Sequence, residues 1–329
     1  MRCPYHLGNV IPRLKHKADI SPYLCPKCGI EIHRDYVEKK YVPRATVGLV
    51  GFPGHGKTVY ITSLFYLLKF LRTRWDDYFL LSLDDNTHKV LFQHVPLFES
   101  SELPEATPAN FPSPSLIYFH NIPLFGDWFL CFYDTSGEVF EDTRRIPHHG
   151  KFAAYSDSIL FNISINDCGK NWPDKMIELL NIYINAVYNR MHINTKKRQH
   201  LIVVITKSDT LDILSGELTL DLNDGSYPNY LGITDGIIDR LKLRSEAIRY
   251  WLIKNGDQAF INIAERYFKS VEYTIVSSTG SAPVGRKLVA ELSPEDPSLV
   301  LDPFLWVLEK NRHNNFWKNF FWRKLKWMF

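Results

Sequence analysis

The chain has 329 residues, 45% apolar and 14% aromatic, enough for one large core or two smaller ones. Its formal net charge of +3 makes no strong field of either sign, so charge alone does not argue for a nucleic-acid partner, and none is expected. Five cysteines are too few for a disulfide scaffold, no signal-peptide core opens the chain, and no window nears the roughly 18 apolar residues of a membrane span; the expected compartment is reducing and cytoplasmic.

Residues 1–42 are poor in apolar periodicity but carry Cys3-Pro-Tyr-His6 and Cys25-Pro-Lys-Cys28-Gly29, a C-x2-H-x18-C-x2-C pattern. Two such knuckles predict a closed, structural Zn²⁺ site on Cys3, His6, Cys25 and Cys28, with His16 and His33 as alternative donors. About 40 residues cannot hold a core without such a staple. The module is expected to dock on protein and not on nucleic acid, because its basic residues are few and lack a row of aromatics.

After Pro43 the β-branched run RATVGLVGF predicts a buried strand, followed by the turn Gly51-Phe-Pro-Gly54-His55-Gly56-Lys57-Thr58 and a helix from Thr58 to Leu71. Further strands are expected over 79–83 and 157–165, and over 200–209, which runs on into a loop. A last strand is expected over 271–279, and a hairpin about Pro123–Gly126. Helices are expected over Asn86–His94, Pro173–Arg190 and 235–268, the last broken near Asn255-Gly256. Residues 99–115, rich in Pro and Ser, predict a long mobile loop. Strands alternating with helices predict an α/β fold with a mostly parallel sheet covered on both faces, over residues 43–292.

The turn matches G-x-x-x-x-G-K-[ST] between a strand and a helix, the pattern of a P-loop. Its glycines allow the backbone N–H groups of Gly51, Gly54, His55 and Gly56 to face phosphate oxygens, and the helix N-terminus adds positive potential. Lys57 would reach the outer phosphates and Thr58 would ligate Mg²⁺. Asp134 closes an apolar strand, where a second Mg²⁺ group is needed, and Asp134-Thr-Ser-Gly137 leaves a glycine N–H to sense a terminal phosphate. Thr206-Lys207-Ser208-Asp209 ends another strand. A carboxylate there can accept from both N1–H and N2–H of guanine, donors that adenine lacks, and the Lys207 stem can lie along the base. The stretch resembles the N-K-x-D element that reads guanine; threonine at 206 stands where asparagine is usual there, which is expected to weaken that side chain's bracing of the loop. Ser278, in Ser277-Ser-Thr279, falls where a short loop would meet the guanine oxygen.

In this order the four motifs resemble the translation-factor-like P-loop GTPases over roughly residues 43–280. A threonine beside proline in the long loop (Thr107), with Asp-Thr-Ser-Gly-Glu downstream, is similar to the bacterial double-GTPase group found with multi-component signalling or conflict systems. The resemblance implies a Ras-like fold and a GTP/GDP-binding switch with slow intrinsic hydrolysis. It implies protein partners, namely an effector and an activating protein. Thr107 is then the switch threonine closing on Mg²⁺, with Thr87 the alternative. Glu138 stands where many GTPases place a water-orienting glutamine and is, with Lys57 and Thr107, a candidate catalytic residue. Arg144 and Arg145 follow as candidate suppliers of positive charge. A non-hydrolysing, nucleotide-bound adaptor and a P-loop ATPase are the competing readings. The aromatic and basic stretch 311–329, within a C-terminal tail from 293, fits a helix that packs on the domain, docks in a partner groove or makes peripheral contact with an anionic membrane.

Overall fold

The computed structural model describes residues 1–15, 22–105, 107–109, 112–168, 174–210, 236–288 and 291–312. Three two-residue strands, β1 (Arg13–Leu14), β2 (Tyr23–Leu24) and β3 (Glu31–Ile32), form a small antiparallel sheet at the N-terminus. The main sheet contains β4 (Arg44–Val50), β5 (Phe79–Ser82), β6 (Ser115–Ile122), β7 (Gly126–Tyr133), β8 (Ser158–Ser164), β9 (His200–Thr206) and β10 (Ser270–Ile275). Its order is β10-β9-β8-β4-β7-β6-β5. The run from β10 to β7 is parallel, and β6 and β5 close the other edge antiparallel.

The central strands are mostly apolar because both their faces are covered; every residue of β8 and β9 is buried, including the polar Ser158, Asn162, Ser164, His200 and Thr206. One face carries the helices Lys175–Ile184 and Gln258–Tyr267 over Val50, Phe161 and Val203. The other carries the helix Lys57–Phe70 and the helical residues 301–312, which press Leu64, Phe65, Phe304 and Leu308 onto Leu49, Leu160 and Ile202. Residues 301–308 and Asn311, placed by sequence in the tail, are therefore core; the aromatic and basic residues 313–329 lie outside the described residues.

The N-terminal segment docks on the first face. Cys3, Leu7, Val10 and Ile32 share a core with Phe129 and Tyr133, and Tyr36 meets Phe129 edge to face at 5.3 Å. Arg2 donates to the Tyr155 carbonyl at 2.8 Å, and the Tyr133 hydroxyl donates to the Pro4 carbonyl. Strand β4 has β7 on one side and β8 on the other, so the chain reverses its direction of winding at β4. In open α/β sheets, the crevice beyond the C-terminal ends of such strands is where ligands bind.

Candidate functional site

The turn after β4 lies in that crevice. Gly56 has φ +73°, in the left-handed region where a side chain is strained, and immediately precedes the helix Lys57–Phe70. The Lys57 ammonium folds back over the turn and donates to the carbonyls of Gly51 at 2.8 Å and Phe52 at 3.2 Å. Burial lowers its pKa to about 8, partly offset by Asp134.

Three oxygens meet at the start of this helix. Thr58 Oγ1 donates to Asp134 Oδ2 at 2.7 Å, Thr107 Oγ1 donates to the same oxygen at 3.1 Å, and the two hydroxyls are 2.7 Å apart. Burial raises the Asp134 pKa, against Lys57, the two hydroxyls and the Thr135 amide, and Asp134 Oδ1 is buried without a hydrogen-bond partner. Thr87 lies elsewhere, capped by Asp84 at the start of the helix Asp85–Lys89.

A second corner forms beyond β9 and β10. Ser277 Oγ donates to Asp209 Oδ1 at 2.7 Å and accepts from the Gly280 amide at 3.0 Å. Lys207 is exposed with φ +61°. The Ser278 carbonyl accepts from Ser63 of the helix Lys57–Phe70 at 3.0 Å, which fixes this loop to the side of the turn 51–58. Thr206 is buried, and its hydroxyl reaches the carbonyls of His55 at 3.1 Å and Ile163 at 3.2 Å. Threonine thus joins the two loops, a bracing role the missing asparagine was expected to weaken.

One cavity of about 650 Å³ runs between the corners. It is lined by Gly54, Gly56, Lys57 and Thr58, by Thr107, Gly137 and Glu138, and by Lys207, Asp209 and Ser278. Three expected residues stand outside its lining: Asp134, which is reached only through the Thr58 and Thr107 hydroxyls, His55 and Gly51. The His55 side chain is buried behind the turn, with Nε2 2.9 Å from Asp167 Oδ2 and Nδ1 3.0 Å from the Asn162 carbonyl. Gly51 lies over Asn162, whose carbonyl would be 2.6 Å from a Cβ at that position. Gly137 packs directly on the turn: a Cβ there would fall 2.1 Å from Pro53 N, so no side chain fits. Arg144 is tied to Asp142 at 2.8 Å, and Arg145 donates to the Glu138 carbonyl at 3.3 Å. Sequence reasoning missed Asn166, Leu103, Pro104, Glu105 and Pro283, which also line the cavity; nothing in their spacing marks them.

The donor atoms of Cys3, His6, Cys25 and Cys28 all lie within 4.8 Å of one another and can hold a metal such as zinc. Tetrahedral zinc sets two thiolates about 3.8 Å apart, and a thiolate and an imidazole nitrogen about 3.6 Å apart. Cys3 Sγ and Cys28 Sγ are 3.9 Å apart, and Cys25 Sγ and His6 Nδ1 3.4 Å. His16 lies outside the described residues, and His33 instead caps the short helix Arg34–Glu38. No helix among the described residues is long and apolar enough to cross a membrane. No family model matches the chain, and no curated protein matches it.

Proposed function

We propose that the chain is a P-loop GTPase of the translation-factor-like class, close to the bacterial double-GTPase group: a switch that binds and hydrolyses GTP and acts on protein partners. One observation carries this reading. Four segments far apart in sequence, each with its own motif, line a single cavity at the end of a mostly parallel sheet.

The turn 51–58 offers its amides and Lys57 to the phosphates. Asp209, with Ser277 holding one of its oxygens, accepts from the guanine edge, and Lys207 and Ser278 flank the base. The Thr58 and Thr107 hydroxyls, and Asp134 through a water, would hold Mg²⁺; the three groups gather within hydrogen-bond distance at the start of the helix, and Asp134 Oδ1 is buried with no hydrogen-bond partner. Bound there, Mg²⁺ would neutralise charge on the β- and γ-phosphates. Glu138 accepts the proton of the attacking water, and Lys57 stabilises the leaving phosphate oxygens. Hydrolysis frees Thr107 and Gly137, and release of their loops is the signal.

A nucleotide competition panel with Mg²⁺ tests the reading. GTP should displace a bound guanine nucleotide far better than ATP does, and Asp209→Asn should turn preference toward xanthosine triphosphate. Lys57→Ala should abolish phosphate release. ATP preferred over GTP, or no nucleotide bound, ends the proposal. Glu138 at the cavity, a carboxylate that repels phosphate, favours one second reading, a nucleotide-bound adaptor that does not hydrolyse; wild-type phosphate release that depends on Lys57 excludes it.

A further inference from the structure

The loop that carries Thr107 does not end on its own residues. It is stitched to the segment that leaves the Asp209–Ser277 corner. The Leu103 amide donates to the Arg286 carbonyl at 2.8 Å, and the Leu288 amide donates to the Ser101 carbonyl at 2.9 Å, so Glu102 and Lys287 pair as an antiparallel bridge. The Arg286 guanidinium closes the seam: Nη2 and Nε donate to the Leu103 carbonyl at 3.0 and 3.3 Å, and Nη1 meets Glu105 Oε1 at 3.3 Å. The segment reverses between Val284 and Lys287, with Gly285 at φ +64°. The seam also borders the cavity, through Leu103, Pro104 and Glu105 on one side and Pro283 on the other.

We propose that Arg286 is a positioning residue that latches this seam over the cavity, so that the base corner and the seat of Thr107 open together and the latch sets how long a nucleotide stays. The inference rests on the proposed GTP-binding site. One continuous strap runs from Ser277, bonded to Asp209, through Arg286 to Leu288, and the loop it grips places Thr107 on Thr58 and Asp134 two residues beyond Glu105. A ligand held by Asp209 therefore braces the strap, and the strap braces Thr107. Opening the seam removes the cavity wall and the third metal oxygen in one motion. Arg286 touches no reacting atom; it acts through the Leu103 carbonyl.

The test uses full-length protein loaded with the N-methylanthraniloyl derivative of a non-hydrolysable GTP analogue and Mg²⁺ and chased with the unlabelled analogue, so that Thr107 is in its closed seat. Losing the Arg286 hydrogen bonds should speed release roughly five- to tenfold in Arg286→Ala, with partial recovery in Arg286→Lys, which keeps one donor for Leu103. Hydrogen exchange on the ligand-free proteins should show faster exchange at the Leu103 and Leu288 amides in Arg286→Ala, with the central strands unchanged. Unchanged exchange at those amides overturns the latch. Faster exchange with an unchanged release rate overturns its control of residence. A wild-type protein that retains no guanine nucleotide overturns the functional reading, and the gate with it; normal wild-type retention with an indifferent Arg286→Ala overturns the gate alone.

Discussion

His200, at the start of β9, is a buried imidazole with one partner. Its Nδ1 lies 2.8 Å from Ser270 Oγ, while Nε2 is buried with none. Burial, then Lys269 and Lys310, hold its pKa down at about 4, against an ordinary 6.5. The unfolded chain thus binds the proton more readily. Stability from a neutral His200 is complete above pH 6.5 and is lost as the pH falls toward 4, by about 3 kcal/mol at most. Urea unfolding at pH 7 and pH 4 checks this: His200→Gln should lose roughly 2–3 kcal/mol less between the two than wild type. Equal losses would remove His200 from the acid response. Single residues also show what spacing conveys. Lys57, Asp134 and Asp209 stood out by motif, each at a fixed spacing from glycine, threonine or lysine neighbours, and the structure brings Lys57 and Asp209 to one cavity. The fate of His55 does not, because its partners Asn162 and Asp167 come from another strand end.

Elements are held to one another by fewer and stronger ties. Arg244, on the helix Gly236–Lys254, makes a two-pronged pair with Asp302 at 2.8 and 2.8 Å, with side chains only 8% and 4% exposed. Arg244→Ala strands a buried carboxylate and should cost about 3–5 kcal/mol; replacing both residues together, as Arg244→Met with Asp302→Leu, should recover most of it. A thermal melt in which Arg244→Ala stays within 1 °C of wild type would show that the pair holds nothing. The central elements were legible in the sequence, because β4, β8 and β9 are short, mostly apolar β-branched runs and the helix Lys57–Phe70 follows a glycine turn directly. The stretch 85–99 was legible only in part: helix was expected to His94, but a π turn at Val90–His94 carries the run through Pro96 to Glu99. Beyond Ser277-Ser-Thr279, the strap to Leu288 was illegible. Its course rests on single backbone bonds, Ser277 to Ser298 at one end and residues 286–288 to residues 101–103 at the other, which leave no periodic trace.

For the molecule as a whole, the cysteine and histidine module is part of the main core. Cys3, Leu7, Val10 and Cys25 pack in one cluster with Phe129, Tyr133 and Ile159, and Arg2 reaches Thr46 of β4 at 3.2 Å. Purified protein should carry about one zinc per chain. Removing it, by chelator or by Cys25→Ser, should lower a single cooperative melting transition by roughly 5–10 °C. Calorimetry that instead shows a small early transition and an unmoved main one would make the module an appendage. The Tyr133–Pro4 hydrogen bond places one knuckle at the end of β7, directly before Asp134, so this buried carboxylate inherits its footing from the chain's first residues.

The hydroxyl of Thr206 carries a heavier consequence than its size suggests. It owns one proton and faces two carbonyls, those of His55 and Ile163, at nearly equal range. Only one can be fully served at any instant, so the turn 51–58 and the end of β8 share a joint with built-in play. A carboxamide would bring two protons and end the competition. Thr206→Asn should therefore tighten this joint and raise the melting temperature, trading the slack of a hinge for the stiffness of a weld.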